Sequence, residues 1–410
     1  MKKSLVLSII ILTAGLLSCG QDNQLGNESS HWRGEGRSGI FHEAGLLQEW
    51  SENGPELLWY FDGLGYGFSS PAIANGRIYI TGMLNDDDLY LFVFNLAGRL
   101  LHQRHIGNEL AASNYPGTRS TITVSDGKLY IFNALGHLYC LDEATLDVVW
   151  RRDLFNDFDG RQLRHGITET PLIVGDKIFM TPGGIVNNII ALNKNTGELI
   201  WSSSGRGTLS GYNSPQFIDG HAVPLMVVFM FTYIIGVNAD TGEMLWYVPH
   251  GTWNNNPNTP LYYNGMIMQI TGDGWGTVML RLIDGGKAVE EVWRNEADNQ
   301  IGGAVRIGNY VFTTGHTNRG FFCFDWHTGE IRYREPTIAQ GAIIYADGML
   351  YLYCNRGTMN LIRPNPNRFD LVSSFEITMG EGPHLAHPVI HNGVLYIRHG
   401  CTIMAFNVKE

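Results

Sequence analysis

Positive charge is in short supply in this sequence. Lys and Arg number 28 against 39 Asp and Glu, the formal net charge is −11, and only 16% of the residues are charged. A surface with that balance repels polyanions, which excludes nucleic acid and makes an anionic membrane surface a poor partner for the folded body. Cysteine is scarce as well. The chain has 5 Cys, no two adjacent and none in a Cys-x-x-Cys-His arrangement, so a c-type haem attachment site is excluded. Cys140 and Cys323 fall at matching positions of a repeat, too far apart to pair, and read as buried apolar residues. Cys354 and Cys401 lie in neighbouring repeats, where a disulfide stays open. Long hydrophobic runs are few. Residues 223–237 are nearly all apolar, but the run is too short to span a bilayer comfortably, contains Pro224 and takes the place of two strands of the repeat.

Turn formers and aromatics are plentiful, with 50 Gly and 11% aromatic residues, as in an all-β protein. A phrase of strand, turn and strand recurs roughly every 45 residues. Ala191-Leu192-Asn193-Lys194-Asn195-Thr196-Gly197-Glu198-Leu199-Ile200-Trp201 is echoed by Gly236-Val237-Asn238-Ala239-Asp240-Thr241-Gly242-Glu243-Met244-Leu245-Trp246, and more loosely by the segments ending at Trp150, Trp293 and Tyr333. Upstream of each stands a hairpin signal, from Asn75-Gly76 and Asp126-Gly127 to Asp347-Gly348 and Asn392-Gly393. Each unit reads as four short antiparallel strands that cannot bury both faces alone, so the units must stack radially. The prediction is an all-β, eight-bladed β-propeller. Its last unit stops after three strands, and Gly54–Phe61 has the form of an outermost strand with no partners before it, so the N-terminal strand is expected to close the last blade.

The first residues stand apart. Lys2 and Lys3, the apolar run Leu5 to Leu17 and Leu16-Leu17-Ser18-Cys19 have the form of a bacterial lipoprotein signal, in which cleavage before Cys19 accompanies attachment of diacylglycerol to its sulfur. The expected organisation is a signal peptide over 1–18, a flexible tether over 19–30 and the propeller over 31–410. Gly20 rather than Asp follows Cys19, which points to a lipid-anchored protein of the cell envelope sorted to the outer membrane.

The Thr-Gly-Glu turn with its terminal Trp resembles the repeat of the PQQ-like propellers, which include quinoprotein alcohol dehydrogenases and the barrel-assembly lipoprotein BamB. The resemblance covers nearly all of the chain after Ser30. Its enzymatic branch implies pyrroloquinoline quinone with calcium, a Trp floor and two consecutive bonded cysteines. No adjacent Cys pair exists here, so no cofactor and no metal site are assigned. The BamB-like branch implies protein partners in the cell envelope.

Loops that lead into the inner strands gather at one mouth of a propeller's channel, together with the hairpins between second and third strands. They bring Arg119, His165, Glu169, Asn213, Trp275 and His387 forward as ligand-binding candidates, with Tyr66, Tyr115, Tyr212, Asn254, Gln300, Gln340 and His384 beside them. Arg119 suits a carboxylate or phosphate, and aromatic rings suit the apolar face of a sugar. Glu169 with His165 is the candidate proton-transfer pair if the protein is catalytic. The expected function is a membrane-anchored binding or scaffold module, for protein partners or a small polar ligand such as a sugar. The alternative is an enzyme acting on a carbohydrate or alcohol, quinone-dependent or cofactor-free.

Overall fold

The computed structural model describes residues 32–252 and 256–410. Cys19, the leader, the tether, His31 and Asn254 lie outside the described residues. Eight blades of four antiparallel strands follow one another in chain order around a central channel, the seventh gaining a short fifth strand from the N-terminal segment. The first blade comprises Ala72–Ala74, Arg77–Leu84, Asp88–Asn95 and Leu100–Asn108. The inner strands of the next six are Thr123–Ser125, Leu172–Val174, Gln216–Ile218, Leu261–Tyr263, Ala304–Ile307 and Gly341–Ala346. The eighth blade takes Val389–His391, Val394–His399 and Thr402–Asn407 from the C-terminus and Glu56–Phe61 from the N-terminus, with Trp59 opposite Ala405. That strand removes the free edge, as the sequence predicts. The apolar run at 223–237 becomes the strands Leu225–Phe229 and Tyr233–Asn238 of blade four.

The hairpins form where the sequence places them. Asn75 and Gly76 both have positive φ, 52° and 69°, as do Asp347 and Gly348, so these turns match the right-handed twist of the strands they join. The apolar core is divided into eight clusters, one at each interface between neighbouring blades. Cys140 and Cys323 are buried in two of these interfaces. Cys354 and Cys401 are free thiols, so the disulfide left open by the sequence is not formed.

The repeated Trp does more than wedge sheets apart. Trp201, on the outer strand of blade three, donates its indole N–H to the Ala239 carbonyl in the Thr-Gly turn of blade four at 3.0 Å, and a Cβ on Gly242 of that turn would lie 2.5 Å from the indole. Trp150 stands in the same relation to Lys194 and Gly197, and Trp293 to Trp326 and Gly329. The Gly of one copy of the phrase makes room for the Trp of the copy before it.

Around the channel runs a second interlock. Two positions before the inner strand stands a hydroxyl residue followed by Pro at Ser70, Thr170, Ser214 and Thr259. Each backbone N–H is bonded to the hydroxyl of the next blade: Ser70 to Thr121 at 3.2 Å, Thr121 to Thr170 at 3.3 Å, Thr170 to Ser214 at 2.8 Å and Ser214 to Thr259 at 3.3 Å. His387 N–H reaches Ser70 Oγ at 3.0 Å, which carries the series across the seam from blade eight.

The N-terminal segment ties the channel together in a second way. Residues 33–41 cross the channel as a chord. Arg33 donates to the carbonyls of Gly302, Ala304 and Ile343 on blades six and seven, and Arg37 to those of Thr170, Pro171 and Pro215 on blades three and four. Ile40–Phe41 then runs parallel to the inner strand of blade seven, and the chain leaves through the far end, where Glu43 accepts from Asn392 and Gly393 N–H.

Candidate functional site

Above the chord the channel opens into a cavity of about 380 Å³. Its floor is Trp32, edge-on to the His387 ring at 5.1 Å between centroids. Its walls differ from side to side. Blades one to four contribute an arc of rings in which Phe68 meets Tyr115 at 6.3 Å, Tyr115 meets His165 at 5.9 Å and His165 meets Tyr212 at 6.0 Å. Blades six and seven contribute the amides Gln300, Gln340 and Asn355, and the buried Gln340 Oε1 has no protein partner.

Arg119 lines the cavity with its guanidinium fixed by the Gly117 and Tyr115 carbonyls of its own loop. Burial lowers its pKa, and the Glu109 carboxylate nearby works in the opposite direction. His165 is held below its ordinary pKa by burial and by the adjacent Arg164 and Arg119 charges, so it presents a neutral ring. His387 is neutral too. Burial and the Arg33 charge push its pKa well down, and its Nδ1 accepts from Arg33 Nη1 at 3.1 Å, which puts the proton on Nε2.

The structure therefore brings Arg119, His165 and His387 to one cavity with Tyr115, Tyr212, Gln300 and Gln340. It does not bring Glu169, Asn213 or Trp275. Glu169 is fully buried within its blade, with Oε2 accepting from Thr181 N–H at 3.1 Å and Thr181 Oγ1 at 2.7 Å. Thr168 and Thr170 face the cavity, and the residue between them points the other way, so the expected Glu169–His165 pair is not formed. Asn213 is a structural bridge, donating to the Phe229 and Asn256 carbonyls at 2.6 and 2.8 Å. Trp275 is 54% exposed on the hairpin of blade five, outside the cavity lining. Sequence reasoning missed Trp32 and the hydroxyls Ser70, Thr121 and Thr170. The recurring Ser-Pro and Thr-Pro pairs are the available signal for Ser70 and Thr170.

The residues present do not fit quinone with calcium. Among the described residues no three His, Cys, Asp or Glu side chains gather as a metal site. Glu169, the carboxylate candidate of these loops, is fully buried outside the cavity lining with Oε2 bonded to Thr181.

Comparison with known proteins agrees with the architecture. The BamB of Moraxella catarrhalis matches with a TM-score of 0.62 at 14% identity, over 86% of this chain and 98% of that one. A quinohemoprotein alcohol dehydrogenase of Comamonas testosteroni matches with a TM-score of 0.64 at 11% identity, over 91% of this chain and 79% of the enzyme. In sequence, a quinoprotein ethanol dehydrogenase of Pseudomonas aeruginosa is 31% identical over 96 residues, 23% of this chain and 15% of the enzyme. A quinoprotein alcohol dehydrogenase of Pseudomonas putida is 24% identical over 110 residues, 26% of this chain and 18% of the enzyme. The chain thus spans less than a fifth of the length of either curated relative. Residues 103–332, more than half of the chain, match the PQQ-like repeat family described as outer membrane protein assembly factor BamB, and the chain belongs to that family.

Proposed function

We propose that this is a lipid-anchored binding module of the cell envelope, held at the outer membrane by acyl chains on Cys19. Its outer loops serve protein partners, and its channel-mouth cavity takes a small polar ligand such as a sugar or uronic acid. The carrying observation is the two-sided wall. Rings from Phe68 to Tyr212, set edge-to-face or tilted against one another, offer apolar surface to the C–H side of a pyranose, while Gln300, Gln340 and Asn355 face its hydroxyls. Arg119, already fixed by its own loop, meets a carboxylate without losing side-chain freedom. A binding reading is favoured over a catalytic one because Glu169, the proton-transfer candidate of these loops, faces away from His165.

Thermal unfolding of the chain starting after Cys19, with sugars, uronic acids, and quinone plus calcium, tests this reading. A ligand at about 100 times its dissociation constant adds about 2.7 kcal/mol of stability. A sugar or uronate shift that disappears in Arg119→Ala and Tyr212→Ala supports the cavity; the absence of any sugar or uronate shift defeats the small-ligand reading. A shift with quinone and calcium alone favours the enzymatic alternative.

A further inference from the structure

We infer that the channel-mouth face of the propeller, the face that opens into the cavity, lies against the lipid surface. The inference rests on the lipoprotein reading above and adds an orientation to it. Two observations lead there.

The first is where the described chain begins. Trp32 sits in the cavity floor, and from it the chord runs away from the mouth, leaving at the far end beside Asn392. The inner strand that Ile40–Phe41 parallels runs in that same direction, from mouth to far end. The described chain thus starts on the mouth side of the chord. Twelve residues separate Cys19 from Trp32, a fully extended reach of roughly 45 Å at most. Measured from Trp32, which lines the mouth cavity, the mouth is the nearer of the two ends to that anchor.

The second is what the mouth face carries. Ile185 and Val186, 68% and 66% exposed, form the tip of the hairpin between second and third strands of blade three. The tip is stiff, because one carboxylate of Asp159 accepts from the N–H groups of Ile185, Val186 and Asn187 at 2.8 to 3.0 Å. Trp275 occupies the equivalent hairpin of blade five, and Tyr66, 58% exposed, the loop into blade one. Two aliphatic side chains held out by a buttressed turn, with an exposed Trp and an exposed Tyr on the same face, are the side chains that partition at a headgroup boundary.

Charge does not separate the two ends: exposed Asp176, Glu198, Asp219, Glu243 and Glu330 at the far end stand with exposed Arg99, Lys287 and Lys409, and exposed Asp86, Asp87, Asp157, Asp159, Glu296 and Glu381 at the mouth stand with exposed Arg164, Arg206, Arg319 and Arg356. The net charge of −11 still opposes adsorption, so the anchor and the apolar tips, not charge, hold the face down. A consequence is that the cavity opens toward lipid headgroups and their attached sugars rather than toward bulk solvent.

The experiment uses the full acylated protein in vesicles of phosphatidylethanolamine with a minor fraction of phosphatidylglycerol. An environment-sensitive fluorophore is placed on Val186→Cys at the mouth face or on Asp219→Cys at the far end, each in a Cys401→Ser background, and quenched with nitroxide-labelled lipid. Several-fold stronger quenching at position 186 than at 219 is expected. Equal quenching, or stronger quenching at 219, in protein that sediments with the vesicles overturns the orientation while leaving the lipid anchor intact. Protein that does not sediment, or that sediments equally well as Cys19→Ala, overturns the anchor and the orientation with it. As a second readout, Ile185→Ser with Val186→Ser should reduce quenching of a fluorophore on Trp275→Cys without moving the unfolding midpoint.

Discussion

At the scale of single residues, Glu169 shows how a loop can mislead. Its position just before an inner strand is right for a ligand-binding group, yet the alternation that sets Thr168 and Thr170 on the cavity wall turns Glu169 into the blade. Read with that period of two, the sequence would have rejected it; read as a loop, it did not. Arg119, His165 and His387 were legible because they are polar residues in loops that the repeat sends to one mouth. The inward position of Glu169 has a measurable cost. Burial pushes its pKa up to about 7, with the Thr181 bonds and the Arg37 charge pulling against the shift, and its Oε1 has no protein partner. A carboxyl whose folded pKa lies above its unfolded value contributes stability that is complete below the unfolded pKa and is lost as pH rises through about 7. Glu169→Gln should therefore stabilise the protein relative to the parent at pH 8, and that advantage should shrink steadily toward pH 5. Buried His250, pushed down to about 3, has the opposite dependence, so the difference between the two melting curves at each pH is the quantity to follow. A constant difference across that range would mean that Glu169 is ionised throughout.

At the scale of elements, the interlock between Trp and Gly explains why the repeat was readable at all. The Trp at the end of one copy donates to a turn carbonyl of the next copy and lies on its Gly, so the two most conspicuous letters of the phrase are paired across an interface. Such a contact recurs at fixed spacing and writes itself into the sequence as periodicity. Trp201→Ala removes a buried indole and its hydrogen bond to Ala239, and should cost about 3–5 kcal/mol in urea unfolding. Gly242→Ala should destabilise through the same interface, since its Cβ would meet that indole and its φ of 77° disfavours a side chain. Additivity of the two changes in the double variant would refute the interlock, because Trp201→Ala opens the space that Gly242→Ala needs. The chord was not readable for the converse reason. Arg33 reaches Ile343 across 310 positions and His387 across 354, once each, and a contact made once leaves no period.

At the scale of the whole molecule, the propeller is a ring held at three radii: Trp on Gly at the outer strands, eight apolar clusters between the blades, and hydroxyl bonds with the chord at the channel. The chord's share can be measured. A chain starting at His42 keeps every strand of the eight blades and loses the guanidinium bonds of Arg33 and Arg37 to six backbone carbonyls. Those carbonyls would face a wetter channel, and scanning calorimetry should show one cooperative transition at a lower midpoint. An unchanged midpoint would mean that solvent satisfies them as well as arginine does. The chord also bears on the order of assembly. Segment 33–41 is made first, but its partners at Gly302, Ile343 and His387 are made 269 to 354 positions later. The segment that lies at the centre of the finished ring must wait for blades six to eight, and the last sheet closes only with the strand just downstream of it. The beginning and end of the chain thus meet twice, once at the rim and once on the axis, and refolding from urea should be slower with the chord present than in the chain that starts at His42.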